Sequence, residues 1–134
     1  MCIRDSNKLR LKEQADKIEW IESDVTTFKT QQKFVLWHDR AVFHFLTAEE
    51  DRLNYLHTLK NALIPHGHLI IATFTIDGPK QCSGLDIVQY DSETLCRFFG
   101  KEFELKETEI ESHRTPWGAE QKFIYCRFRR NQGI

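Results

Sequence analysis

The hydrophobic pattern changes period along the chain. Phe34, Val35, Leu36 and Trp37 form a continuous apolar run, and residues 69–74 ("LIIATF") form another. Short unbroken runs predict strands of a parallel sheet covered on both faces. Between them, in "TAEEDRLNYLHTLKNAL", Leu53, Leu56, Leu59 and Leu63 recur at helical spacing. That spacing predicts a helix with one apolar face. Thr47 and Glu50 are placed as a capping box, and Glu49 and Glu50 suit the positive start of the helix. "IPHG" ends it, with Gly67 available for a left-handed turn. The first strand stops at three polar residues, His38, Asp39 and Arg40.

Residues 7–15 read as the tail of a helix. Residues 17–22 ("KIEWIE") alternate, and predict a short strand that runs into the loop "SDVTTF". After the second apolar run, "TIDGPKQCSGLDIVQY" carries the Gly, Pro and Ser of a loop. "DSETLCRFFG" predicts a short helix, capped by Asp91 or Ser92 and ended by Gly100. "EFELKETEIES" and "QKFIYCRFRR" predict two long strands on either side of the Pro-Trp-Gly turn in "HRTPWGAE". Strands alternating with helices predict an α/β sheet, and the last two strands, joined without a helix, an antiparallel pair at its edge.

Composition narrows the function. A chain of 134 residues is long enough for one domain with a real core. A net charge of −1 gives no electrostatic footprint for nucleic acid or a membrane surface, and "RFRR" is expected to be a solvated strand end. The longest apolar run falls far short of the roughly 18–20 residues that span a bilayer. Charged residues follow the first Met, not the apolar stretch of a secretory signal. The four cysteines are scattered, with no C-x-x-C and no Cys/His ligand spacing. They read as reduced cytoplasmic thiols, and no metal site is expected.

Element order and local strings together resemble the class I S-adenosylmethionine-dependent methyltransferases. "WIESDVTTF" is similar to that family's third strand and the loop after it. "FVLWHDRAVFHFL" is similar to its fourth strand and the following segment, and "LKNALIPHGHLIIATF" to its helix, turn and fifth strand. "DRAVFHFLT" followed by "DR..Y" further resembles the small-molecule and thiopurine-type members. The resemblance implies a partial Rossmann-like sheet in which strands 3, 4, 5, 6 and 7 are present and strands 1 and 2 are missing. The family's Gly-rich loop after strand 1 is absent, since the six glycines are scattered, and Val35 stands where the family commonly has Asp.

The opening string "MCIRDS" fits no element and resembles the translation of a sequencing-library adapter. Residues 1–6 are therefore expected to be a processing scar. Residues 7–130 are then the C-terminal two thirds of a methyltransferase domain, and 131–134 a tail. In the family's sheet order, 3-2-1-4-5-7-6, the missing strands lie in the middle. The fourth strand is left with an unpaired apolar edge, and the fragment is expected to be poorly stable and inactive alone.

The resemblance also assigns candidate residues, because ligands of open parallel sheets lie beyond the carboxyl ends of the strands. Asp24 matches the carboxylate that holds the adenine amino group, and Val25 the residue that packs on adenine. Trp37, His38 and Asp39 fall where the family faces the methionine part of S-adenosylmethionine. Arg40, Tyr90, His113 and Trp117 are candidates for the side that holds a small-molecule methyl acceptor. His44 is a candidate general base, since an imidazole titrates near neutrality. Each has a plainer alternative: a turn residue for Asp24, a local ion pair for Asp39 and Arg40, a packed ring for His44, a core cover for Trp117. Two other functions stay open, a dinucleotide-dependent oxidoreductase fragment and a non-catalytic domain of the methyltransferase fold.

Overall fold

The computed structural model describes residues 21, 23–78, 80–82, 85–116, 118 and 120–131. The helix expected over residues 7–15 and, apart from Ile21, the strand expected over 17–22 lie outside the described residues, and Ile21 is not in a strand. The described chain begins with a turn at Asp24, where the Thr27 N–H donates to the Asp24 carbonyl at 3.1 Å. Strand β1 (Phe34–Arg40) follows, then one turn of 3-10 helix at Phe43–Phe45. Helix α1 (Glu49–Ala62) leads directly into strand β2 (Leu63–Phe74). A two-residue-per-arm hairpin, β3 (Gln81–Cys82) and β4 (Leu85–Asp86), sits in the next loop. Helix α2 (Ser92–Phe99), a 3-10 turn at Gly100–Glu102, and strands β5 (Phe103–Arg114) and β6 (Glu120–Arg130) complete it.

The main sheet has the order β1-β2-β6-β5. β1 and β2 are parallel, while β6 is antiparallel to both β2 and β5. This is an α/β sheet ending in an antiparallel pair, as the sequence predicts, and it runs in the family's 4-5-7-6 order. Alternation places Trp37, Asp39, Leu69, Ile71, Cys126 and Phe128 on one face. There they meet Phe43, Tyr55 and Leu59, with Leu95 and Phe99 of α2, in one buried cluster. A smaller cluster of Ala72, Phe74 and Phe123 lies on the other face.

Several expectations need correction. β1 is not covered on both faces: Phe34, Val35 and Leu36 are 40%, 67% and 49% exposed, because β2 is its only partner among the described residues. The strand also runs through His38, Asp39 and Arg40 instead of stopping before them. Helix α1 starts two residues after Thr47. Its N-cap is Ala48, which has no oxygen to offer, so no capping box forms. The Leu46 and Thr47 carbonyls instead accept from Arg52 Nη1 at 3.1 and 2.8 Å. The helix buries Tyr55, Thr58, Leu59 and Ala62 and leaves Leu53 half-exposed, so its buried stripe is turned away from the leucine row.

Gly67 serves a different purpose from the expected left-handed turn. The residue with positive φ is His66, at 67°. A Cβ on Gly67 would lie 2.8 Å from Leu63 Cδ1 and 2.9 Å from the Ile64 carbonyl oxygen. Helix α2, by contrast, is built as expected. Asp91 accepts from Thr94 N at 2.7 Å, Thr94 Oγ1 accepts from Asp91 N at 2.9 Å, and Gly100 ends the helix at φ 75°.

Overpacking beside the rigid Ile64 carbonyl gives a direct test. Gly67→Ala is expected to lower unfolding free energy by about 1–3 kcal/mol in urea titration. An unchanged midpoint would show that the neighbours yield freely.

Candidate active site

Parallel β1 and β2 end at Arg40 and Phe74, so the end of the sheet beyond them is where a ligand belongs. A cleft of about 240 Å³ opens there, lined by Val25, Trp37, His38, Asp39, Arg40, Val42 and Tyr55. Five of the residues expected from sequence therefore share one cavity. A second depression of about 300 Å³, between residues 26–33 and α1, includes none of them.

Asp39 organises the cleft. It is only 5% exposed. Oδ1 accepts from Val42 N at 2.9 Å, and Oδ2 accepts from Phe43 N at 3.1 Å and from the Tyr55 hydroxyl at 2.5 Å. Tyr55 Oη in turn accepts from Trp37 Nε1–H at 3.0 Å. Loss of water around the carboxylate raises the Asp39 pKa above its ordinary 3.8, against the opposing pull of these donors and of the His38 charge. Burial, and then the charge of Asp39, push the Tyr55 hydroxyl well above its ordinary range. Ala41, inside the turn, has φ 64°, a left-handed conformation that costs a non-glycine residue about 1–2 kcal/mol. Its N–H donates to the Ala72 carbonyl at 2.9 Å, which ties the turn to β2.

The other predicted residues separate. Asp24 is exposed beside Val25. Its Oδ1 accepts from the Thr26 N–H at 2.9 Å and the Thr26 hydroxyl at 2.7 Å, and these bonds lower its pKa. Arg40 lines the cleft but sends its side chain over the opposite sheet face, where Nε donates to the Tyr125 hydroxyl at 2.8 Å and the guanidinium lies 4.8 Å from the Phe123 ring centre. His113 is exposed near the end of β5, opposite Gln121. It lies at the correct end of the sheet but three strands from β1, roughly 14 Å at ordinary strand spacing. Tyr90 is 6% exposed and packs on Phe43 at 5.2 Å between ring centres. Trp117 lies outside the described residues, as does the side chain of Cys82.

His44 is fully buried, between the rings of Phe45 and Phe74 at 4.7 and 4.9 Å. Its Nδ1 accepts from Phe74 N at 3.3 Å. That bond leaves the ring proton on Nε2, which is buried without a partner. Nε2 is then a donor and not a proton acceptor, so this arrangement does not supply the base expected from sequence. Burial also lowers the pKa to about 4, and the ring is neutral at pH 7.

Sequence reasoning missed Val42 and Tyr55. The "DR..Y" string held the signal for the second. Arg52 and Tyr55, one helical turn apart, reach back to the segment after β1 and to Asp39 near its end, respectively.

No family model and no curated protein matches the chain. Solved structures do. N-methyltransferase NodS from Bradyrhizobium japonicum WM9 superposes with a TM-score of 0.69 at 16% identity, covering 95% of this chain and 69% of its own. A Burkholderia thailandensis 1,6-didemethyltoxoflavin-N1-methyltransferase, solved with 1,6-didemethyltoxoflavin and S-adenosylhomocysteine bound, gives 0.68 at 15% identity, with 96% and 56% covered. An S-adenosylmethionine-dependent methyltransferase from Clostridium acetobutylicum ATCC 824 gives 0.64 at 9% identity, with 98% and 73% covered. The fold is that of the S-adenosylmethionine-dependent methyltransferases. The chain spans little more than half of the Burkholderia methyltransferase.

Among the described residues, no group of three or more His, Cys, Asp or Glu is placed to hold a metal. No described helix is long and apolar enough to cross a membrane.

The neutral, buried state of His44 fixes the sign of a pH effect. Its folded pKa lies below the ordinary 6.5, so its contribution to stability is complete above pH 6.5 and is lost as pH falls toward 4. The loss amounts to about 3 kcal/mol across that window. In His44→Asn, denaturation measured from pH 7 to 4 is expected to lose this part of the slope. Parallel profiles for the two proteins would contradict the assignment.

Proposed function

We propose that the chain is the C-terminal part of a small-molecule methyltransferase and supplies one wall of its S-adenosylmethionine site. The observation that supports this most is the cleft at the tip of β1, where Val25, Trp37, His38 and Asp39 come together. Val25 would pack on the adenine, with Asp24 beside it for the amino group through Oδ2, which the two Thr26 bonds do not use. The indole of Trp37 and the turn at Ala41 and Val42 would bound the methionine portion. Asp39 is committed to the turn, so its role is to shape the wall and not to touch the sulfonium.

The cofactor supplies the electrophilic methyl group, and a nucleophilic nitrogen, oxygen or sulfur of the acceptor displaces it in line. The protein's share is orientation and exclusion of water. The methyl acceptor would enter from the side of Arg40 and the loop over residues 75–90, with His113 on the far rim. The other wall requires the family's Gly-rich loop, which these 134 residues do not contain, so turnover is assigned to a domain that carries both walls. The exposed apolar edge of β1 beside the cleft suits that arrangement, since a further strand would cover Phe34, Val35 and Leu36. The cytoplasmic location read from the scattered thiols belongs to the same proposal.

A titration of the labelled chain with S-adenosylhomocysteine tests the reading. With half a site, binding is expected to be weak, in the millimolar class, about −4 kcal/mol. Amide and indole shifts are expected to concentrate at Val25, Trp37, His38 and Val42. Shifts centred on residues 26–33, or a stronger response to a nicotinamide dinucleotide, would overturn it.

A further inference from the structure

Three donors of the protein bond the Asp39 carboxylate. A carboxylate offers roughly four acceptor directions. Three are filled by Val42 N, Phe43 N and the Tyr55 hydroxyl, and the group is 5% exposed. Two of those donors are amides of the turn that forms the cleft wall. The third is a side chain from a different element, α1, and it is itself fixed by the Trp37 indole. The bonds close a loop: β1 supplies Trp37 and Asp39, α1 supplies Tyr55, and the turn between them hangs on Asp39.

We propose that Tyr55 is a positioning residue for the cofactor cleft: its hydroxyl orients the Asp39 carboxylate, and the carboxylate holds Val42 and Phe43 in place. Three further observations support this. The turn contains a non-glycine residue at φ 64°, a conformation that persists only where its surroundings dictate it. Arg52, three residues before Tyr55, binds the Leu46 and Thr47 carbonyls, so α1 grips the segment between β1 and itself at two points. Tyr55 also touches Trp37 edge-on at 5.6 Å and Phe43 at 4.8 Å, and its ring is fully buried between them. Phenylalanine at this position would keep those ring contacts and lose only the proton that Asp39 receives. The geometry stands without a ligand; only the affinity consequence rests on the cofactor reading above.

The test compares Tyr55→Phe with the unaltered chain, using amide hydrogen exchange and a carbon-detected titration of the Asp39 carboxyl. Losing a hydrogen bond to a buried carboxylate is expected to speed exchange at Val42 and Phe43 about tenfold or more. Exchange at Leu69 and Ile71, in the middle of the sheet, is expected to stay within about twofold. The Asp39 titration should move up, because the Tyr55 bond pulls it down. His38 and Tyr55 are the titrating groups that act on it. Affinity for S-adenosylhomocysteine should fall about tenfold.

Leu95→Val, on the buried face of α2, serves as a control. It should lower the thermal midpoint and move none of these local readouts. If Tyr55→Phe fails to fold, Trp37→Phe takes its place, since it loosens the same hydroxyl from the other side and should shift the same amides and carboxyl. Unchanged Val42 and Phe43 exchange with an unchanged Asp39 titration would overturn the proposal. So would changes that merely track global stability, as in Leu95→Val. If the unaltered chain binds no S-adenosylhomocysteine, the cofactor reading fails, while exchange and titration still decide the role of Tyr55.

Discussion

One buried carboxylate ties the end of β1 to everything around it. Asp39 sits where a parallel strand ends, almost without water, and a charge in such a place survives only if donors surround it. Two donors are backbone amides that the chain can present only by turning sharply through a left-handed Ala41. The third is Tyr55, held at the right depth by helix α1 and by the Trp37 indole. Satisfying this one charge therefore sets the exit angle of β1, the 3-10 turn at Phe43–Phe45 and the seat of α1. The cleft lined by Val25, Trp37 and Val42 is the space that remains.

The two edges of the sheet show how unevenly it is finished. Along β5, Glu104, Glu107, Glu109 and Glu111 are exposed, and Arg127 reaches across to Glu107 at 2.7 Å. A charged edge of this kind resists pairing with another chain. Among the described residues nothing pairs with the outer edge of β1, and its first three residues are apolar and exposed. The apolar edge and the cleft belong to the same strand.

Much of the fold was legible in the sequence. Period and punctuation located β1, α1, β2, α2, β5 and β6, and the unhelical connection between the last two strands foretold their antiparallel pairing. Asp91 and Gly100 bound α2 as local rules require, since capping depends only on near neighbours. The misreadings have a tertiary origin. The leucine row of α1 is helical in spacing, but the space above the sheet admits Tyr55, Leu59 and Ala62 and leaves Leu53 outside. Thr47 is a good capping residue by type, yet Arg52 holds its carbonyl and the helix begins later. For the site, position at a strand end together with the family resemblance singled out Val25, Trp37, His38, Asp39 and Arg40, which line one cleft. They did not reveal that His44 turns its acceptor nitrogen to Phe74 N, or that the partner of Asp39 lies sixteen residues on at Tyr55.

The most direct measurement is a crystal structure of the chain grown with S-adenosylhomocysteine. The account predicts the ligand against the tip of β1, with adenine on Val25 and the amino-acid portion along Trp37, Ala41 and Val42. It also predicts an Asp39 carboxylate still bonded to Tyr55 and the turn amides. A ligand seated in the depression over residues 26–33, or one that draws Asp39 away from Tyr55 to bind it directly, would contradict the account.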